Sequence, residues 1–188
     1  QGMLESQVQV RDKNDLVPRR VDALTGKKVV GTSAGGKHTA AWTEEGERFT
    51  CGYDHRGRLG HRGDQNELVP RLVQALGGKK VVGVSAGYGH TVVWTEEGEL
   101  FTFGNGNLGR LGHGGAQNEL VPRRVEALTG KKVVGASAGL DHTVTWTEEG
   151  ELFTFGTGYY GNLGHGGEQN ESVPRRVEAL AGKVVGAS

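Results

Sequence analysis

Short runs of alternating apolar and polar residues, broken by glycine-rich turns, fill this chain. In the stretch 81–128, Val81–Ala86 is β-branched and small and ends at a turn through Tyr88-Gly89. His90–Thr95 (HTVVWT) then alternates, with His90, Val92 and Trp94 on one face and Thr91, Val93 and Thr95 on the other. Glu96-Glu97-Gly98-Glu99 reads as a tight turn, where Gly98 supplies the positive φ such turns need. Leu100–Phe103 continues as a strand with Phe101 and Phe103 on the same face. A long glycine-rich loop covers 105–118, and 119–128 (ELVPRRVEAL) reads as extended. Pro122 cannot donate to a ladder, which confines that segment to a sheet edge. A helix over PRRVEALTGKK competes, since VEAL has good helical propensity, but the segment is short for one.

This pattern repeats without a slip. Pro18, Pro70, Pro122 and Pro174 are each 52 residues apart, as are His38, His90 and His142, then Trp42, Trp94 and Trp146, then His61, His113 and His165. A fixed period marks a repeat architecture, in which a unit too small to bury its own apolar face stacks on its copies. Four short strands per unit predict a four-stranded antiparallel sheet with the proline strand outermost. Radial stacking of such sheets gives an all-β propeller. Three complete units are expected at 29–80, 81–132 and 133–183, with partial blades at both ends. Those partial blades are an outer strand within 14–28 and a first inner strand at 184–188; residues 1–13 form a divergent N-terminal segment. If the end of one chain meets the beginning of a chain, each seam adds a blade, giving four blades for one chain or eight for two. Head-to-tail self-association and the remainder of a longer propeller chain are thus both open.

Composition narrows the class. Of 188 residues 34 are glycine and only 35% are hydrophobic, as many short elements joined by tight turns require. Lys+Arg (22) balances Asp+Glu (22), which argues against a nucleic-acid partner. Cys51 stands alone, so no internal disulfide forms and an intracellular setting (cytoplasm or nucleus) is the simpler expectation. No long apolar run points to a membrane.

The recurring V-x-x-x-S-A-G-x-x-H-T-x-x-x-T-x-x-G-E-x-F-T-x-G-x-x-x-x-G-x-L-G-H, followed by P-R-x-V, occurs at 29–71, 81–123 and 133–175. In this the chain resembles the regulator of chromosome condensation repeat family. Only Gln1–Lys13 departs outright, with E-S-Q-V-Q where the other copies have G-x-L-G-H. The resemblance implies seven-bladed propellers that serve as docking platforms, as guanine-nucleotide exchange factors for a small GTPase, or as parts of ubiquitin ligases and sensors.

The residues point to recognition rather than chemistry. GNGNLG (104–109) and GTGYYG (156–161) match a dinucleotide fingerprint, but the glycines that follow forbid the helix it needs. The histidines recur singly at wide spacing, unlike metal ligands, and are expected to hydrogen-bond turn backbone within each blade. No nucleophile recurs beside a base, so no catalytic, metal or cofactor residue is assigned. Trp42, Trp94 and Trp146 are expected to pack between adjacent blades. The Glu-Glu-Gly-Glu turns and Lys27-Lys28, Lys79-Lys80 and Lys131-Lys132 should emerge on one side of the ring and compensate each other.

On the opposite side the copies become individual. Lys37, Tyr53, Asp54, His55 and Arg56 mark the first copy, Tyr88, Asn105 and Asn107 the second, and Asp141, Tyr159 and Tyr160 the third. These residues are the candidate partner-binding set. The expected function is a non-catalytic protein–protein interaction scaffold whose partner is a protein of unknown identity. The alternative is a guanine-nucleotide exchange factor for a Ran-like small GTPase, although the uniform repeat spacing leaves no room for an inserted catalytic hairpin.

Overall fold

The computed structural model describes residues 19–180, so the divergent segment 1–13 and the strand expected at 184–188 lie outside it. Three four-stranded antiparallel sheets follow one another along the chain, each a simple meander. The first comprises β1 (Val29–Ala34), β2 (His38–Thr43), β3 (Arg48–Gly52) and β4 (Glu67–Leu72). The second comprises β5 (Val81–Ala86), β6 (His90–Thr95), β7 (Leu100–Gly104) and β8 (Glu119–Arg124). The third comprises β9 (Val133–Ala138), β10 (His142–Thr147), β11 (Leu152–Gly156) and β12 (Glu171–Arg176). The first strands β1, β5 and β9 contact one another in turn, as the inner strands of successive propeller blades do. Over 19–28 the described residues form no strand, only a 3-10 turn at Asp22–Leu24; the rest of the outer strand expected in 14–28 is outside the description.

Two irregularities in every blade trace to particular residues. Between Val81 and Gly83 the β5–β6 register slips, so Val82 bulges outward while Gly83 lies opposite Trp94. A Cβ on Gly83 would stand 1.9 Å from Trp94 Cζ2, because the indole lies flat on the bare backbone. Gly31 under Trp42 and Gly135 under Trp146 repeat the arrangement. The second slip falls between Thr102 and Gly104, opposite the part of β8 that carries Pro122. Proline is tolerated there because a bulged outer strand asks nothing of its missing N–H.

The extended reading of 119–128 needs correction at its end. After Arg124 the chain turns into a 3-10 helix over Glu126–Leu128, and likewise over Gln74–Leu76. That single turn swings Leu128 and Leu76 inward, where both are buried. Three residues suffice for this, so the helical propensity of VEAL is used only locally.

The apolar core sits between sheets. Ala40 of the first blade packs with Val81, Val84, Val93, Phe101 and Phe103 of the second, and Trp42 leans on this cluster. Val92 and Leu100 of the second blade, in turn, pack with Val133, Ala136, Phe153 and Phe155 of the third, beside Trp94. The alternation in HTVVWT is thus a division of labour: Val92 and Trp94 serve the following blade, Val93 the preceding one. On the solvated side, Lys28–Glu44 (2.8 Å), Lys80–Glu96 (2.7 Å) and Lys132–Glu148 (2.7 Å) form exposed ion pairs that solvent screens, so they add little to stability.

Gly83→Ala should lower the unfolding free energy by about 1–3 kcal/mol through overpacking against Trp94. Urea denaturation checks this; an unchanged midpoint would contradict the indole-on-glycine packing.

Candidate protein-docking face

The turns that precede β2, β6 and β10 and the long loops that follow β3, β7 and β11 lie side by side. Tyr53 N–H donates to Lys37 O, Asn105 N–H to Gly89 O and Thr157 N–H to Asp141 O, each at 2.9 Å. Each loop is also tied down internally. Thr102 donates its hydroxyl to Leu111 O at 2.7 Å, so His113 Nε2, 2.9 Å from the same oxygen, acts as donor. Asn118 Oδ1 accepts from Gly106 N–H at 3.1 Å, closing the loop base. Matching bonds occur in the other two copies, through Thr50, His61 and Asn66 and through Thr154, His165 and Asn170.

His38 and His90 do not act within their own blades as the sequence suggested, whereas His142 Nδ1 lies 3.4 Å from Asn162 Nδ2 of its own blade. His38 Nε2 lies 2.8 Å from Thr91 Oγ1, and His90 Nε2 lies 2.9 Å from Thr143 Oγ1, each in the following blade. Thr91 and Thr143 donate onward to the carbonyls of Arg58 and Arg110 at 2.8 Å. The hydroxyl proton is committed to the carbonyl, so the imidazole must donate from Nε2 and keep Nδ1 bare. Nδ1 of both His38 and His90 is buried without a partner. Gly35 and Gly87 make room for these rings: a Cβ on either would stand 2.7 Å from the histidine Cε1. Burial first, and then the Arg58 charge, lowers His38 to a pKa of about 4. Burial, with the Arg110 charge second, lowers His90 to about 3.

Upon this frame the proposed contact residues divide. Tyr53, Tyr88, Tyr159 and Tyr160 are exposed by 41%, 50%, 67% and 89%, a large aromatic surface for a soluble-facing loop set. Lys37 Nζ and Arg58 Cζ lie 5.4 and 5.1 Å from the Tyr53 ring centroid, and His55 stacks on the same ring at 5.8 Å. Asn107 is exposed, while Arg56, Asn105 and Asp141 are half-buried. Asp54 is a correction: it is 1% exposed and its Oδ1 accepts from Leu59 N–H, so it shapes the loop and meets no partner. The polar side chain reads as a contact group in the sequence, but it points inward.

Three further residues belong to this face. Arg58 and Arg110 are buried and bridge blades: Arg58 Nη1 donates to Tyr88 O at 2.9 Å and Arg110 Nη1 to Leu140 O at 3.3 Å. Leu108 occupies the left-handed region (φ 62°), and Arg56 (64°) and Tyr160 (59°) occupy the equivalent place in their loops. Among the described residues no group of three His, Cys, Asp or Glu side chains could hold a metal ion.

The repeats are matched by the family model described as "Regulator of chromosome condensation (RCC1) repeat", over residues 45–94, 97–146 and 149–188. This chain belongs to the regulator of chromosome condensation repeat family. The first two RCC1 matches each straddle two blades: 45–94 runs from the β2–β3 turn through to Trp94 in β6. The E3 ubiquitin-protein ligase HERC2 of Homo sapiens is 39% identical over 170 residues, 89% of this chain and 4% of that protein. The ultraviolet-B receptor UVR8 of Arabidopsis thaliana is 35% identical over 167 residues, 88% of this chain and 38% of the receptor. This chain therefore spans well under half the length of these relatives. Among solved structures, human WBSCR16 aligns with a TM-score of 0.73 at 27% identity, covering 80% of this chain and 38% of that one. Prp20p from Saccharomyces cerevisiae aligns at 0.72 with 20% identity and the same coverage, which shows the shared RCC1 propeller fold.

The buried histidines set an acid limit. Above pH ~6.5 both folded and unfolded chains carry neutral imidazole. As pH falls, the unfolded chain binds protons first, so stability declines from there until about 4 for His38 and about 3 for His90. Each unit of depression corresponds to about 1.4 kcal/mol, several kcal/mol for the pair. His90→Gln, which keeps a donor but cannot titrate, should flatten this slope in urea midpoints measured across pH. An equally steep slope in the variant would contradict the assignment.

Proposed function

We propose that this chain is a protein-interaction scaffold that docks partner proteins on the face formed by its inner turns and long loops. The observation that carries this reading is the contrast between backbone and side chain at the loop tips. Residues 56, 108 and 160 share one left-handed conformation, in which a non-glycine residue costs about 1 kcal/mol or more, yet they are arginine, leucine and tyrosine. A conformation kept while its side chain varies suits a scaffold that presents individual contacts. The surrounding tyrosines offer large contact area at low entropic cost.

Guanine-nucleotide exchange on a Ran-like GTPase ranks second. The β2–β3 and β6–β7 hairpins, like the long loops, are equal in length from blade to blade, and none is drawn out into a projecting element. A setting inside the cell accords with Cys51, a free thiol whose pKa is raised by burial.

Replacing Tyr53, Tyr88, Tyr159 and Tyr160 together with alanine should reduce protein capture at least tenfold while leaving the thermal midpoint nearly unchanged. Lysine at Glu45, Glu97 and Glu149, on the other side of the ring, should leave capture intact. Capture undiminished by the tyrosine changes would refute the docking face, and stimulated nucleotide release from a Ran-like GTPase would favour the exchange reading.

A further inference from the structure

The three blades do not offer the same chemistry at equivalent places, and the differences run in one direction. Arg58 and Arg110 occupy matching positions and make matching backbone bonds, with Nε donating to His55 O (3.2 Å) and Asn107 O (2.9 Å) respectively. Arg110 is also neutralised: Asp141 Oδ1, from the turn of the next blade, lies 2.6 Å from its Nη1. The residue that stands to Arg58 as Asp141 stands to Arg110 is Gly89, which has no side chain. Arg58 is thus a guanidinium that is 5% exposed, has no carboxylate within ion-pair distance among the described residues, and has no acceptor for Nη2.

Around it positive charge is in excess: Arg56 lies beside it, and the Asp54 carboxylate offsets it only from within the loop, without an ion pair. Lys37, Arg56 and Arg62 lie in the same blade's turn and loop, and none pairs with a described acid. Arg62 holds a positive φ (68°) where the other copies have Gly114 and Gly166. The acids nearby are Asp54, buried and bonded to the Leu59 amide, and Asp64, which accepts from Gln65 Nε2. Elsewhere the rule is pairing: Arg71, Arg123 and Arg175 each bond a glutamate four residues earlier on the outer strand.

Across the ring the face turns apolar. Leu108, Leu140, Tyr159 and Tyr160 line an open cavity of about 460 Å³ between the second and third loops. Leu140 is 61% and Leu108 42% exposed, and Asp141, the acid beside them, is already spent on Arg110.

We propose that this face receives an extended protein segment carrying acidic side chains over the first blade and apolar ones over the second and third. The inference rests on the docking reading above and adds the class and direction of the partner. The Arg110–Asp141 pair is the internal template: it shows that a carboxylate is what a guanidinium at this position accepts, and an incoming Asp or Glu supplies at Arg58 what Gly89 lacks. Arg56, Leu108 and Tyr160, held alike in the three loop tips, then meet in turn an acid, an aliphatic and an aromatic side chain.

The test uses the intact chain and a fluorescein-labelled peptide of three glutamates followed by a leucine and a phenylalanine, read by anisotropy. Gly89→Asp provides the missing carboxylate from within. Lys37 and Asp141 hold the equivalent places without positive φ, and a Cβ on Gly89 meets nothing closer than 3.4 Å, so the backbone accepts the change. This variant and Arg56→Glu should each weaken peptide binding at least tenfold, and Tyr160→Ala should weaken it several-fold. Asp141→Gly frees Arg110 and should tighten binding at least threefold, a gain that misfolding cannot mimic. A peptide with lysines in place of the glutamates should not bind, and inorganic phosphate should compete only weakly. Unchanged binding in Gly89→Asp and Arg56→Glu, equal binding of the lysine peptide, or full displacement by phosphate would overturn the proposal. If those results came together with partner capture lost in the tyrosine variants, the acidic specificity would fall and the docking face would stand.

Discussion

The structure depends on a three-membered chain of hydrogen bonds that crosses from one sheet to the next: imidazole to threonine hydroxyl to arginine carbonyl. Side-by-side sheets with apolar faces can slide, since hydrophobic contact is non-directional. A buried directional bond cannot slide without leaving a donor stranded, at a cost of about 1–3 kcal/mol. His38–Thr91 and His90–Thr143 therefore fix where each blade stands relative to its neighbour. The serine hydroxyls help from the inner strands, with Ala86 N–H donating to Ser33 Oγ and Ala138 N–H to Ser85 Oγ. All of these partners are 53 residues apart, one repeat and one step along the strand.

This lock has a consequence for function. The carbonyls that end the two chains belong to Arg58 and Arg110, whose side chains reach across to the next blade on the loop face. One residue thus ends the buried lock with its backbone and begins the exposed face with its guanidinium. The first two loop tips are in this way held on a rigid base, which lets residues 56 and 108 keep a left-handed conformation that neither side chain favours. The stabilising work is carried by invariant positions, and the tips are left free to differ.

Much of the fold was legible because its signals are local and repeated. The alternation in HTVVWT, the glycine turns and the edge proline each report a strand or its end, and a fixed period multiplies the signal. What a histidine does was not legible. Period-two alternation gives the face of the sheet on which His90 lies, but not that its partner is a threonine one blade away. Asp54 misled for a related reason, since nothing in a polar loop residue tells whether it points outward or caps the amide of Leu59. The strained tips were also hidden: glycine advertises a positive φ, whereas Arg56, Leu108 and Tyr160 do not. The short 3-10 turn at Glu126–Leu128 escaped because it serves one leucine and is too brief to leave a periodic trace.

The most direct test of the inter-blade lock is a double-mutant cycle between His90 and Thr143, using His90→Asn, Thr143→Val and the pair, with unfolding free energies from urea at neutral pH. A stapling contact predicts strong non-additivity, with a coupling of about 1 kcal/mol or more because either single change already breaks the relay. Additive losses within a few tenths of a kcal/mol would mean that the two residues act independently, and that apolar packing alone sets the blades in place.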